Sequence, residues 1–313
     1  MRVLVTGCAG FIGHHVTAAL LESGHPVVGI DDFSTGDPSN LHTGCEFVEG
    51  SILDSDLLSR AIAQCEAVVH LAAIPSVPRS LLLPRASYDV NVTGTLSVLE
   101  AARAASVRNL IFASSSSVYG ANESLPKHEG LAPLPMSPYA AGKLAAENHA
   151  LTWQRCFGLG VLAFRFFNVF GPRQRPDHAY AAVVPSFLNA AARDSALRIF
   201  GTGAQTRDFT YVGSVARVIL RAIESRTTCP GPVNLAFGSR TSLNDLASEI
   251  GRVVARPLRI EYEDARPGDV LHSQADSRLL DSLFPDVAPV SLRDGLVTTM
   301  NWMTSYLAGS QSR

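Results

Sequence analysis

The stretch Arg2-Val3-Leu4-Val5-Thr6-Gly7-Cys8-Ala9-Gly10-Phe11-Ile12-Gly13 joins a β-rich apolar run to a helical pattern through three glycines spaced G-x-x-G-x-x-G. Glycines in such a turn let the chain reverse tightly and bring backbone N–H groups close to a pyrophosphate. They also let the following helix pack closely on its strand. The N-terminus of that helix favours an anion. The spacing differs from the G-x-G-x-x-G of the general dinucleotide fingerprint, so the weight of the motif comes from its place between a first strand and a first helix.

Outward from this turn, β-rich runs alternate with helical patterns. Strands are predicted over residues 2–6, 26–30, 46–49, 67–71, 109–114 and 161–167, and helices over 11–23, 54–63, 88–106 and 139–157. Several of the strands are continuous apolar runs, as expected where helices cover both faces of a parallel sheet. The alternation implies βαβ units. The expected fold is therefore α/β: a Rossmann-type doubly wound parallel sheet over residues 1–170, which binds the dinucleotide. At Gly171-Pro172-Arg173-Gln174-Arg175-Pro176 the rhythm changes. Shorter elements follow at 183–193, 197–200, 212–225, 243–254 and 291–305, forming a smaller mixed α/β substrate lobe over residues 171–313. The sheet can still receive later strands, and a cleft is expected between the two parts.

Hydrophobic residues make up 46% of the chain and charged residues 17%, enough apolar material for a sizeable core. A formal net charge of −2 argues against nucleic-acid binding by bulk electrostatics. The cysteines, Cys8, Cys45, Cys65, Cys156 and Cys229, have no metal-ligand spacing, and their odd number suits reduced thiols better than a disulfide framework. The nine histidines are not grouped as ligands, so no metal is expected. Neither a leader-like N-terminus nor a membrane-length apolar run is present, which predicts a cytoplasmic protein with no membrane partner.

Asp31 follows the second predicted strand, 18 residues beyond Gly13. A carboxylate there can bind both ribose hydroxyls of a dinucleotide and would repel a 2′-phosphate, and no arginine lies between Arg2 and Arg60 to welcome one. NAD is therefore favoured over NADP. Ser114-Ser115-Ser116-Ser117 closes the fifth predicted strand, and Tyr139-Ala140-Ala141-Gly142-Lys143 opens the helix at 139–157. The i,i+4 spacing puts Tyr139 and Lys143 on one helix face. A tyrosine with a pKa near 10 is a poor base at neutral pH; an adjacent ammonium and a nicotinamide cation would favour its phenolate. The chain has only two lysines, Lys127 and Lys143, which makes the pairing more informative. His70, at a strand end, reads as structural or cofactor-facing rather than as a base. Ser115 has none of the sequence surroundings of a hydrolase nucleophile.

These motifs, together with His70-Leu71-Ala72-Ala73 and Ser114–Gly120, resemble those of the extended short-chain dehydrogenase/reductases. More narrowly, Asp32-Phe33-Ser34-Thr35-Gly36, the run from Phe166 to Gln174, Gln205-Thr206-Arg207-Asp208-Phe209 and Arg266-Pro267-Gly268-Asp269-Val270 resemble the UDP-sugar 4-epimerases. The resemblance extends from residue 2 to about residue 303. It implies an NAD-dependent isomerase in which Ser115, Tyr139 and Lys143 are catalytic. It implies cofactor contacts from Gly7, Gly10, Phe11, Ile12, Gly13, Asp31, Asp32, Ser34, Thr35 and Gly36, from Ser51 and Ile52, and from Leu71, Ala72 and Ala73. Tyr139 and Lys143 would also touch the cofactor. The UDP-sugar would be held by Ser115, Ser116, Ser117, Asn168, Arg207, Arg266 and Asp269, and a homodimer would form through the helices at 88–106 and 139–157. Two positions depart from the family: Ser51 stands where an aspartate is usual, and Gly213 where an acidic residue is common.

The sugar is addressed by two further residues. Ser273 is small at the position that gates the sugar pocket, leaving room for a larger substituent. Arg175, in Arg173-Gln174-Arg175-Pro176-Asp177, resembles the Arg-Pro-Asp segment of uronate 4-epimerases, and a cation there could read a C6 carboxylate. Interconversion of UDP-glucuronate and UDP-galacturonate is the leading expectation. Epimerisation of UDP-glucose or UDP-N-acetylglucosamine follows, then UDP-glucuronate decarboxylation, which begins with the same C4 oxidation. A 4,6-dehydratase is disfavoured, because that family carries Asp-Glu at Ser116-Ser117. A non-catalytic NAD-binding sensor is the reading from another class; binding alone would not require a base.

Overall fold

The computed structural model describes residues 1–176, 181–265 and 271–310. Its main sheet has seven strands: β1 (Val3–Thr6), β2 (Val27–Asp31), β3 (Cys45–Glu49), β4 (Ala67–His70), β5 (Asn109–Ser115), β6 (Gly160–Phe166) and a short strand, Val233–Leu235. Their spatial order is Val233–Leu235, β6, β5, β4, β1, β2, β3, every pair parallel. The chain leaves β1 in one direction to form β2 and β3 and in the other to form β4, β5 and β6. Strand order thus reverses between β1 and β4, and a crevice opens at their carboxyl ends.

Alternation along the strands feeds two cores, one on each face. Val3, Val5, Val69, Ile111, Leu162 and Phe164 pack against α1 (Phe11–Glu22) and the later helix Val212–Ser225. Leu4, Val28, Val68, Leu110, Phe112 and Ala163 face the other way, towards α2 (Ser55–Ile62) and the helices Gly94–Ala104 and Pro138–Phe157. The runs read as fully apolar because both faces are buried.

Between β4 and β5 the sequence predicts a single helix over 88–106. The structure shows more: α3 (Val77–Leu82), α4 (Pro84–Tyr88), a π-helical turn over Asp89–Thr93, then α5 (Gly94–Ala104). Pro75, Pro78 and Pro84 make this segment read as loop. Yet proline is welcome in a helix's first turn, where α3 and α4 each place one, and the Ser76 hydroxyl caps α3 by accepting from Arg79 N. α6 (Pro138–Phe157) likewise starts on a proline, capped by Ser137, and ends on left-handed Gly158.

Beyond residue 170 the chain serves both parts of the molecule. α7 (Val183–Ala192), α9 (Leu243–Val253) and α10 (Leu292–Ser310) enclose a separate core that includes Phe187, Leu188, Leu246, Ile250, Leu296 and Met303. In contrast, α8 (Val212–Ser225) returns to lie on α1, and Val233–Leu235 extends the main sheet beside β6. The three-residue strand is too short to show a periodicity in the sequence.

Ile219 of α8 is fully buried in the core shared with α1. Truncation by Ile219→Ala should cost about 2–5 kcal/mol. The expected result is a lower urea unfolding midpoint with little change in the secondary structure seen by circular dichroism.

Candidate active site

The first half of the site is the glycine turn after β1. Gly7 has φ +74, and a Cβ on it would lie 2.8 Å from the Ala72 amide nitrogen. A Cβ on Gly13 would sit 1.9 Å from Gly7 O. The turn therefore presses against the end of β4 on one side and against its own helix on the other, which only glycine permits. At α1 the N-cap is Gly10, and no side chain caps it, which leaves its first-turn amides to serve an anion. The cradle fits the pyrophosphate of the expected dinucleotide.

Around it lie the other residues expected to hold the cofactor. The Asp31 carboxylate, at the end of β2, accepts from Ala9 N at 3.0 Å and Phe33 N at 2.9 Å. Burial holds its carboxyl above the usual range and those two amides pull it back. Asp32, Ser34, Thr35 and Gly36 form the loop beyond, where Asp32 accepts from Ser34 N. The Thr6 hydroxyl accepts from Leu71 N and Ala72 N, each at 3.2 Å, and so fixes the backbone leading to Ala73. His70 is part of the same scaffold: its Nδ1 lies 2.7 Å from Thr6 Oγ1 and its Nε2 3.0 Å from Thr95 Oγ1. Burial lowers its pKa to about 3, so it stays neutral and ties β1, β4 and α5 together. Ser51 supplies no carboxylate; its hydroxyl accepts from Leu53 N, beside buried Ile52.

At the end of β5, Ser115 meets α6. Its hydroxyl accepts from Ser117 N at 3.2 Å and Ser117 Oγ at 2.8 Å, with Ser116 between them in the same turn. Tyr139 is partly buried on the first turn of α6, its amide donating to Ser80 Oγ of α3. Burial raises the phenol above a tyrosine's ordinary range, opposed by a hydrogen bond with Ser115. One turn on, Lys143 is almost wholly buried. Its ammonium donates to Ala113 O at 2.8 Å and lies 5.3 Å from the centre of the Phe112 ring. Burial lowers its pKa to about 8. The arrangement brings the Tyr139 phenol, the Lys143 ammonium one turn along the same helix face, and the Ser115 hydroxyl together at the carboxyl end of β5.

The predicted substrate residues spread over the facing loops. Asn168, with φ 32, donates to Asp208 O. Arg207 donates to Thr206 O at 3.0 Å and Leu271 O at 3.3 Å, and Ser273 is tied to the same strand by its amide on Thr206 O. Arg175 is exposed on the loop after β6, with Nη1 3.9 Å from Asp37 Oδ2 of the cofactor-side loop. Arg266 and Asp269 lie outside the described residues. Among the described residues no group of three or more histidine, cysteine, aspartate or glutamate side chains could hold a metal ion.

Sequence reasoning overlooked three supporting groups. Asp208, fully buried, accepts from Ser239 Oγ and Ala275 N, joining the loops that carry Arg207 and Ser273; burial raises its pKa to about 6. Ser80 docks α3 on the start of α6. Glu147 lies one turn beyond Lys143 on the same helix face, the one signal that could have revealed it. Gly213 has a packing reason, since a Cβ there would lie 2.7 Å from the Tyr211 ring.

Comparison with known proteins places this geometry. Residues 3–236 match the model of the NAD dependent epimerase/dehydratase family. A UDP-glucose 4-epimerase of Mycolicibacterium smegmatis is 38% identical over 96% of this chain and 98% of its own. A UDP-N-acetylglucosamine 4-epimerase structure from Methanobrevibacter ruminantium superposes with a TM-score of 0.92 at 36% identity, covering 97% of this chain and 98% of that one. A UDP-glucuronic acid 4-epimerase from Bacillus cereus, in complex with UDP-glucuronic acid and NAD, does so with a TM-score of 0.88 at 33% identity, covering 98% and 100%.

Two outcomes follow from the site's construction. Gly13→Ala, whose Cβ must push the Gly7 carbonyl out of place, should lower the urea midpoint and give protein purified with much less NAD, measured by release of the nucleotide on denaturation. The second concerns pH. Lys143 is depressed from 10.5 to about 8, so between those values the unfolded chain binds a proton that the folded chain does not. Its burial therefore weighs against folding below about pH 8, and that penalty is relieved as pH rises towards 10.5. Cofactor-free wild type should gain stability relative to Lys143→Met over this window, read from urea midpoints at several pH values.

Proposed function

The chain belongs to the NAD dependent epimerase/dehydratase family, and on that footing we propose that it is a UDP-sugar 4-epimerase whose leading substrate pair is UDP-glucuronate and UDP-galacturonate. The observation that carries the epimerase reading is the meeting of Ser115, Tyr139 and Lys143 at the carboxyl edge of the sheet, beside the glycine cradle and Asp31. NAD, when bound, supplies the acceptor and donor of a hydride at C4. Tyr139, as phenolate, takes the proton of the sugar 4-hydroxyl, with Ser115 holding the same oxygen and Lys143 stabilising the phenolate. The 4-keto sugar would then turn about its diphosphate to present its other face, and Tyr139 would return the proton to the same oxygen. Arg207 supports the diphosphate as a planar cation suited to oxyanions.

Arg175 supports the uronate. It is exposed on the loop that meets the cofactor side, 3.9 Å from Asp37, and a guanidinium's planar fork of donors matches a carboxylate. The second reading, a neutral UDP-glucose or UDP-N-acetylglucosamine substrate, is supported by Ser273, small and partly buried against Thr206. A homodimer through α5 and α6 is part of the same proposal. It would cover Phe157, which is exposed and has the Arg103 guanidinium stacked 3.9 Å from its ring centre.

Tyr139→Phe should retain NAD and lose about 10²–10⁴-fold in turnover; undiminished turnover would remove the assignment of the base. Arg175→Ala should lower kcat/KM for UDP-glucuronate by about tenfold or more, the worth of a charge-assisted hydrogen bond, and leave neutral UDP-sugars unchanged. Products resolved by NMR decide between the sugars. Turnover of neutral sugars alone would remove the uronate reading and keep the epimerase.

A further inference from the structure

We propose that Glu147 is a positioning residue for the base, locking the face of α6 that carries Tyr139 and Lys143 onto the end of β5, with Arg165 as its counter-ion. This rests on the epimerase reading of the site and adds to it a residue that touches neither sugar nor cofactor. Tyr139, Lys143 and Glu147 follow one another at intervals of four, a single stripe along α6. Each member of the stripe meets one of the last three residues of β5. Tyr139 has the Ser115 hydroxyl, Lys143 donates to Ala113 O at 2.8 Å, and Glu147 Oε2 accepts from Ser114 Oγ at 2.6 Å.

The third contact is built more heavily than packing alone requires. Arg165 lies directly opposite Ser114 on β6 and holds the same carboxylate through two bonds, Nε to Oε2 at 3.0 Å and Nη2 to Oε1 at 2.6 Å. Ser114, Glu147 and Arg165 are each at most 3% exposed. The remaining guanidinium nitrogen, Nη1, has no hydrogen-bond partner, and the guanidinium carbon lies 4.7 Å from the centre of the Tyr119 ring. A buried ion pair is a poor source of stability, since apolar residues of equal volume avoid its desolvation cost. What a bidentate carboxylate supplies is a fixed position: a slip of α6 by one residue, about 1.5 Å along its axis, breaks all its bonds. The base needs that fixity, because a displacement of about 1 Å at a catalytic group can cost as much as 10²-fold in rate. Charge balance matters too. With its charge matched by Arg165, Glu147 leaves the Lys143 cation to act on Tyr139.

The test uses the NAD-loaded protein and compares Glu147→Gln with Ser114→Ala, which cuts the tie to β5 and leaves the ion pair whole. The readouts are kcat and KM per NAD-bearing molecule, and the substrate-free titration of Tyr139, taken from tyrosinate absorbance as the difference from Tyr139→Phe. In both variants kcat should fall about tenfold with KM within about twofold, and the Tyr139 titration should move up by about one pH unit as Lys143 loses its place. Loss of the Glu147 charge alone, leaving Arg165 unbalanced, would instead move the titration down. A downward shift, or wild-type kcat and titration in NAD-loaded variants that are merely less stable, would overturn the proposal. If Glu147→Gln fails to fold, Ser114→Ala decides. The titration needs no substrate, so a wild type that turns over no UDP-sugar would remove the functional reading and still leave the positioning role to be decided.

Discussion

Parallel pairing forces every strand of the main sheet to end on the same edge, because each crossover must travel back over a face before the next strand can begin. Gly7 after β1, Asp31 at the end of β2, Leu71 to Ala73 after β4 and Ser115 at the end of β5 are far apart in the chain. They converge only because their strands are held in parallel register. Helices cover both faces, so the sheet is rigid and dry, and the edge is the place where its chemistry can reach solvent and ligand. The reversal of direction between β1 and β4 opens the crevice, and the side chain of Thr6 organises its floor by holding the amides of residues 71 and 72.

The same burial that makes the sheet rigid sets the chemistry of its edge. Lys143 is driven towards its neutral form and Tyr139 towards its protonated form, each by loss of solvent. Neither shift favours a phenolate by itself. A phenolate at Tyr139 would have to come from how charges and the Ser115 hydroxyl are placed around it, so geometry matters more here than ordinary acidity. That is why the buried polar contacts between α6 and β5 have consequences beyond stability. They occupy volume that leucine or valine could fill, and they fix the helix in one register.

On the opposite wall, the second lobe is joined to the first by more than chain connectivity. Arg173 donates to Ser39 O and Asn40 Oδ1, and His15 of α1 lies against Pro172 O. The loop after β6 is thereby tied to the loop that follows Asp31. Buried Asp208 gathers the segments bearing Arg207 and Ser273. The loops that carry Asp31, Arg173 and Arg175 thus share one wall.

The sequence by itself determined the layer order, the six longer strands and the principal helices, because burial on both faces produces continuous apolar runs and because glycine, proline and serine mark the turns. It also marked Tyr139 and Lys143 as a pair, since i,i+4 spacing on a helix is a local geometry. Other features were decided by tertiary contact. The strand Val233–Leu235 is too short to have a pattern and exists because β6 offers it an edge. The helices α3 and α4 form in a proline-bearing segment because α6 is there to receive them. Glu147 and Arg165, which in sequence read as ordinary charges, face each other only once β6 lies beside β5 under α6. A local pattern can announce a turn, a face or a helix start. A charge's partner, and hence what the charge is for, depends on residues far along the chain and is fixed only when the layers close.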